Sequence, residues 1–445
     1  MNIIQQLEKR KKLLKILNSP SNSEVYTPIE LVEEMLDKLP KDIWKNPNLT
    51  WCDPCAKSGV FILEVIIRLM KNLEIGDETF KYNHIINNMV KAYINVDRNK
   101  WIVSKMVYGS TSKINRIELL EIDKIKKEDM PKFDVVVGNP PFNAPKTNNN
   151  KSRSKLLYPK FVELSHKISA QYSMMVIPFR WSKIESLKDF RKKMFHDFNI
   201  SYIEVLDNKQ INQFENIALA SGMCFYISNK HNTTSSIINI QDSGSIIKFN
   251  VNENEIYINN PIVYKILDKI KSKCKDNMSN HYNRPQWIKS NDRRLTLKKI
   301  NMDDIKVMKA KNKLAFINKS SLGNKLKNYN LQSFKLILPM VYGVWKKFGF
   351  CKSSMFILEK NIATTESLIF FSFSSKKEAK NCKNYILSKF SIALNHIVQI
   401  DKTFSPSSFI YMPYVDFSRS WTDQELYEYF NLTQEEIDYI ESQVK

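Results

Sequence analysis

The chain reads as an α/β protein: a doubly wound, largely parallel sheet in its first half, followed by a mixed α/β domain. Three observations predict this. Strand-like apolar runs alternate with helix-like periods between residues 48 and 230. Residues 135–137 are a continuous β-branched run, as in a strand covered on both faces, rather than an alternating one. The length of 445 residues allows two or three domains with a sizeable core.

Taken in order, residues 3–17 have apolar positions spaced by three and four, which predicts a helix ending at Asn18-Ser19-Pro20. Thr27-Pro28 opens a second amphipathic helix, with Thr27 as the expected N-cap and Pro28 at the first helical position. Strands follow at 48–53 and 91–97, separated by an almost wholly apolar, hence buried, helix at 60–73. A helix over 99–108, a short strand at 116–120 and the strand before Asn139 come next. A helix, a strand and a second helix span 155–198, and two strands near 200–207 and 220–228 are joined by "NKQINQFENIAL". Right-handed crossovers then wind the sheet both ways. Residues 229–243 shift toward Asn, Ser and Thr, which is linker or hairpin chemistry, so domains are expected at 1–235 and 245–445. Helices at 261–275, 376–395 and 423–443 mix with short strands and aromatic-basic loops in the second domain.

Charge narrows the partner. The 68 Lys and Arg against 46 Asp and Glu leave a net charge of +22, which favours a polyanion, most simply nucleic acid. Six cysteines are few for this length, which predicts a reducing, cytoplasmic setting. Cys52 and Cys55 are spaced as metal ligands, but no second pair or His cluster completes a zinc site, so no metal is expected. The charges in "MNIIQQLEKRKKLLKIL" interrupt any signal-type apolar stretch, and no apolar run is long enough to span a membrane.

The residues that carry chemistry form an ordered set. In "WCDPCAKSGVF" a strand ends at Asp53, a loop carries Ser58 and Gly59, and a helix starts near Val60. Glycine there allows close backbone approach, and the helix N-terminus offers free N–H groups to an anion. Asp97 ends the following strand, where a carboxylate can accept from ribose hydroxyls, and Asp123 follows the next strand, where it can accept from an exocyclic amine. Then "VVVGNPPF" stops a buried strand with two prolines, which permit neither ladder nor helix. Asn139 supplies a side-chain carbonyl and Pro140 a backbone carbonyl, two acceptors for one amine. Phe142 can stack on a planar base, worth about 1–3 kcal/mol.

Thr27-Pro28, "DPCAKSGVF", Asp97, Asp123 and "NPPF", in this order, resemble the gamma group of S-adenosylmethionine-dependent DNA adenine-N6 methyltransferases of restriction-modification systems. The resemblance covers residues 24 to about 230 and implies a Rossmann-like methyltransferase sheet followed by a target-recognition domain. It assigns the methionine part of the cofactor to Thr27, Asp53 and Ala56, with Gly59 as the close-contact residue. Asp97 would hold the ribose and Asp123 would lie beside the cofactor adenine. Asn139, Pro140, Pro141 and Phe142 are then the catalytic tetrapeptide, and Phe214 in "FENIALASGMCFYI" helps hold the flipped base. The chain departs from the family in "AKSG", where Lys57 stands at a position that is often glycine.

What this implies is direct methyl transfer to an adenine flipped out of double-stranded DNA, without metal or covalent intermediate, with Cys52 and Cys55 as packing residues. A separate endonuclease would be the partner of such an enzyme. In the second domain Arg284, Arg293 and Lys346 are candidate DNA contacts, set among Trp, Tyr and Gly. Rival readings are an RNA methyltransferase acting on adenine N6 or guanine N2, a protein glutamine methyltransferase and a non-catalytic DNA-specificity module. The long basic second half argues against the glutamine case and the intact tetrapeptide against the last.

Overall fold

The β-branched run that precedes the Asn-Pro-Pro turn lies near the middle of a nine-stranded sheet. The computed structural model describes residues 2–17, 26–94, 97–109, 118–119, 131–143, 156–214, 222–231, 236–252, 256–310, 313–341, 350–398 and 403–444. Its strands are β1 (Trp51–Asp53), β2 (Val90–Ile94), β3 (Glu118–Leu119), β4 (Phe133–Gly138), β5 (Ser169–Pro178), β6 (Ile200–Val205), β7 (Met223–Asn229), β8 (Ile237–Asp242) and β9 (Ser245–Asn250). They are ordered β3-β2-β1-β4-β5-β7-β6-β8-β9. From β3 to β5 every pairing is parallel, so the carboxyl ends of these strands share one edge. Residues 135–138 are fully covered, as the unbroken apolar run requires.

Asp134, at the opposite edge, locks the centre of this sheet. Its Oδ2 accepts from the backbone and hydroxyl of Thr50, both at 2.8 Å, and its Oδ1 accepts from Gln171 at 3.0 Å. One carboxylate thus ties the starts of β1 and β5 to β4, which fixes register on both sides of the central strand.

The helices α1 (Ile3–Leu17), α2 (Ile29–Asp37) and α3 (Val60–Asn72) belong with one face of the sheet in a single apolar cluster that includes Leu7, Leu14, Val32, Leu36, Ile66, Val135 and Val137. Helix α3 is largely apolar and is buried on every side over its first two turns. Its one buried acid, Glu64, is neutralised by Lys11 of α1 at 2.6 Å and Arg68 at 2.9 Å, while Lys11 also bonds Glu33 of α2. Burial disfavours the Lys11 ammonium, but its bonds to Glu33 and Glu64 outweigh that and raise its pKa.

Two expectations are revised. The N-cap position of α2 is Pro28, with no side-chain capping bond, so Thr27 does not cap this helix. Strand β7 runs antiparallel between β5 and β6, because consecutive β6 and β7 pair directly as neighbours. Of the two readings of the Asn/Ser/Thr-rich segment, the hairpin is the one found: β8 pairs with β6 and β9 with β8, and the compact units divide between Tyr257 and Ile258.

The second unit has two three-stranded sheets built from β10 (Asp304–Lys309), β11 (Lys313–Asn318), β12 (Phe334–Pro339), β13 (Phe356–Leu358), β14 (Ile362–Thr364) and β15 (Leu368–Phe373). Helices Lys376–Ile386, Asp423–Tyr429 and Gln434–Gln443 each start with a capping box, from Ser375, Thr422 and Thr433. The long helices expected at 376–395 and 423–443 are each broken in two, at 387–388 and 430–433. Among the described residues no helix is long and apolar enough to cross a membrane.

Lys11→Ala should lower the melting temperature of the full chain, because it removes one of the cations paired with Glu64; about 3–5 kcal/mol is the scale for breaking a buried pair, and Arg68 keeps the loss toward its low end. The double change Lys11→Met with Glu64→Leu should recover most of it. A melt of Lys11→Ala that matches wild type would contradict a structural role for the pair.

Candidate active site

Strand order reverses between β1 and β4, with β2 and β3 on one side and β5 on the other. Parallel α/β sheets open a crevice at such a point, beyond the carboxyl ends of the strands. Here those ends are Asp53 and Gly138, on strands paired through Trp51–Val135 and Cys52–Val136.

Asp53 is buried, and its Oδ1 accepts the Cys55 N–H at 3.0 Å. A Cβ built on Gly138 would stand 2.8 Å from that same oxygen and 3.1 Å from the Cys55 sulfur. Only a residue without a side chain lets β4 pass so near the carboxylate. Burial pushes the Asp53 carboxyl up to about 7, against the lowering effect of the Cys55 bonds and the Lys57 charge. The folded value thus lies above the unfolded one of about 3.9. This group's stabilising contribution is full below about 3.9 and is lost as pH rises through about 7. Cys52 and Cys55 are buried and not joined in a disulfide, and burial pushes the Cys55 thiol up, so Cys55 is no reactive thiolate.

The loop after Asp53 is held by the Ala56 N–H, which donates to the Tyr93 carbonyl of β2 at 2.8 Å. It ends at Gly59, whose φ of 79° is left-handed and where a Cβ would meet Val107 at 3.1 Å. Gly59 is the N-cap residue of α3 and provides no side-chain cap, so the first-turn N–H groups face the loop as an anion-binding terminus.

Beyond Gly138 the tetrapeptide is anchored at both ends. Asn139 is buried, and its Nδ2 donates to the Thr27 hydroxyl at 3.0 Å. That bond engages the amide nitrogen and leaves the carbonyl oxygen as the acceptor end of the side chain. Pro140 is buried, whereas Pro141 and Phe142 are half-buried, with Phe142 packed against the apolar cluster. The Phe142 carbonyl accepts the Leu157 N–H at 3.0 Å, just before helix Tyr158–Ile168, and Asn143 bridges Leu156.

The structure therefore brings together Thr27, Asp53, Ala56, Gly59 and residues 139–142 at one edge of the sheet. Asp97 begins a helix, Asp97–Val103, that follows β2, and its side chain lies outside the described residues, as do Asp123 and Lys346 entirely. Phe214 is 3% exposed and part of the apolar cluster. Arg284 and Arg293 are in the second unit: Arg284 is half-buried and donates from Nε to the Glu366 carbonyl at 2.9 Å, and Arg293 is exposed. Gly138 is a site residue that the sequence reading did not single out; the only signal was a glycine interrupting a β-branched run immediately before Asn139. No group of His, Cys, Asp or Glu among the described residues is arranged to hold a metal ion.

Comparison with known proteins bears on this edge directly. Residues 6–212 match the family described as Eco57I restriction-modification methylase, a segment that contains Thr27, Asp53, Ala56, Gly59 and Asn139. An uncharacterized adenine-specific methylase of Mycoplasma pneumoniae is 24% identical over 319 residues, covering 54% of this chain and 75% of that protein. The type II methyltransferase M.VspI of a Vibrio species is 26% identical over 180 residues, 38% of this chain and 40% of that protein. Among solved structures, a nuclease-deletion mutant of the type ISP restriction-modification enzyme LlaGI, in complex with a DNA substrate mimic, has a similar fold. Its TM-score is 0.53 at 12% identity, over 89% of this chain and 54% of that one. These likenesses support a DNA methyltransferase and place residues 6–212 beside restriction-modification methylases, in agreement with the order of the motifs.

Gly138→Ala should force the Asp53 carboxylate or β4 to shift, destabilising the chain by about 1–3 kcal/mol. Thermal melting measures this, and an unchanged melt would show that the edge has room for a methyl group.

Proposed function

We propose that the protein transfers the methyl group of S-adenosylmethionine to the N6 amine of an adenine flipped out of duplex DNA. The observation that carries this reading is the anchored Asn139, bonded to Thr27 at 3.0 Å, next in sequence to the Gly138 that packs on Asp53. A base within a duplex cannot present its amine to such a buried edge, hence the flipping.

The crevice fits the cofactor's charges. Asp53 is a buried acid suited to an α-ammonium group, and the N-terminus of α3 suits a carboxylate. Ala56 and Thr27 line the methionine part in this reading, Asp97 takes the ribose hydroxyls, and Asp123 stands beside the adenine. When bound, the sulfonium would supply an electrophilic methyl carbon and a neutral thioether leaving group, whose sulfur keeps the electron pair of the broken C–S bond. Asn139 and the Pro140 carbonyl accept the two N–H groups of the substrate amine and turn its lone pair toward that carbon. The nitrogen gains positive charge as it attacks, and the two carbonyl dipoles stabilise it before a proton is lost to water. Phe142, half-buried, stacks on the base face, and Phe214 supports it from the core.

The second unit reads the DNA target in this account, and the +22 charge supplies the sequence-independent attraction. Such an enzyme works in the cytoplasm on chromosomal DNA and is paired with a separate endonuclease of the same target sequence.

Asn139→Ala should reduce single-turnover methyl transfer by about 10²–10³-fold, the scale of one lost transition-state hydrogen bond, while cofactor and DNA affinities stay near wild type. Retention of more than about a tenth of the rate would rule out the catalytic role. Asp53 makes a separate demand. With its carboxyl at about 7 in the free protein, it must lose its proton to hold an ammonium group. Cofactor affinity should therefore rise between pH 6 and pH 7, with net proton release seen by calorimetry in buffers of different ionisation heat. Asp53→Asn should abolish the release; an identical proton count in that variant would remove Asp53 from the cofactor site.

A further inference from the structure

The second unit contains a groove of about 990 Å³ whose described lining includes no carboxylate. Its cations are Arg284, Lys289 and Lys327, and the planar polar groups of Gln286 and Asn328 lie beside them with the indole of Trp287. These cations are not equivalent. Lys289 and Lys327 are exposed, as are Gln286 and Asn328, so their ends sit at the rim. Arg284 is half-buried, and its Nε is already committed to the Glu366 carbonyl at 2.9 Å. That bond holds the guanidinium plane, while its two terminal nitrogens have no protein acceptor among the described residues. Trp287 is 47% exposed, with the Lys325 ammonium 3.9 Å from its ring centre, which adds positive charge at the same rim.

A planar fork of N–H donors held at the floor of a cationic groove matches a pair of acceptors side by side. In duplex DNA that pair is O6 and N7 of guanine in the major groove, whereas mobile lysines at a rim meet phosphates. We infer that this groove grips duplex DNA and that Arg284 reads a guanine in the target sequence, with Lys289 and Lys327 on the flanking backbone. Gln286 and Asn328, amides at the rim, are placed to read the neighbouring base pair. The inference rests on the reading of the protein as a DNA methyltransferase and adds what it recognises: the target contains at least one G·C pair specified by Arg284.

Competition binding of the full chain to a panel of duplexes tests this without requiring catalysis. The panel carries each single-base change of the target, which is taken from the bases methylated by the wild-type protein or, failing that, selected from random duplexes by binding. Arg284→Gln should lose about 10- to 100-fold of discrimination at one guanine and keep it at the other positions. Lys327→Ala should instead weaken all duplexes alike and reduce the slope of log affinity against log salt by about one. Unchanged discrimination in a folded Arg284→Gln chain, or equal weakening on every duplex, would overturn the assignment. If Arg284→Gln does not fold, Gln286→Ala on the exposed rim decides: loss of discrimination at one base pair supports the groove, and an unchanged profile overturns it. A wild-type chain that selects a sequence but transfers no methyl group would refute the catalytic reading and not the groove.

Discussion

The approach of a bare α-carbon to a buried carboxylate is the contact on which this active edge depends. Gly138 ends β4 where any side chain would collide with Asp53 at the end of β1. Because the two strands are parallel neighbours, that contact sets how far apart the cofactor loop and the Asn-Pro-Pro turn can be. Burial at this edge raises the pKa of the Asp53 carboxyl to about 7, so a bound cation would have to displace its proton.

Rigidity is supplied from both ends of the strands. At the far edge Asp134 bonds to Thr50 and Gln171 and holds β1, β4 and β5 in register. At the active edge Thr27 holds the Asn139 amide and Leu157 holds the Phe142 carbonyl. Two prolines between those anchors remove the remaining backbone freedom. In the proposed reaction the substrate amine would meet acceptors that are already oriented, so little reorganisation would accompany charge development.

The central sheet was legible because its strands are short apolar runs punctuated by helical periods, and the buried α3 is almost wholly apolar over residues 60–67. The turns at this edge were legible in conformation: Gly59 takes a φ of 79° before α3, and the two prolines follow the end of β4 at Gly138. Local chemistry misled at Thr27, where Thr-Pro looks like a helix cap. Its true partner, Asn139, lies 112 residues away, and no local rule reaches that far. Residues 229–243 left linker and hairpin open, and the hairpin of β8 and β9 is what forms; its one buried face makes Asn239 and Gln241 alternate with the buried Ile238 and Ile240. Strand β7 turned antiparallel because the sequence states that a strand exists but not which neighbour it joins. Gly138 went unnoticed since a glycine at a strand end is unremarkable until the facing carboxylate is seen. The second unit was least legible: its strands are short and split between two sheets, so neither a long period nor a regular alternation betrays them.

The central claim is that this edge methylates the N6 of adenine in DNA. The most direct measurement incubates the full chain with duplex DNA and isotopically labelled S-adenosylmethionine, digests the DNA to nucleosides, and identifies the labelled base by mass spectrometry. The account predicts label in N6-methyladenine, with none above background in RNA or in protein supplied under the same conditions. Label on another base, or on RNA in preference to DNA, would contradict it.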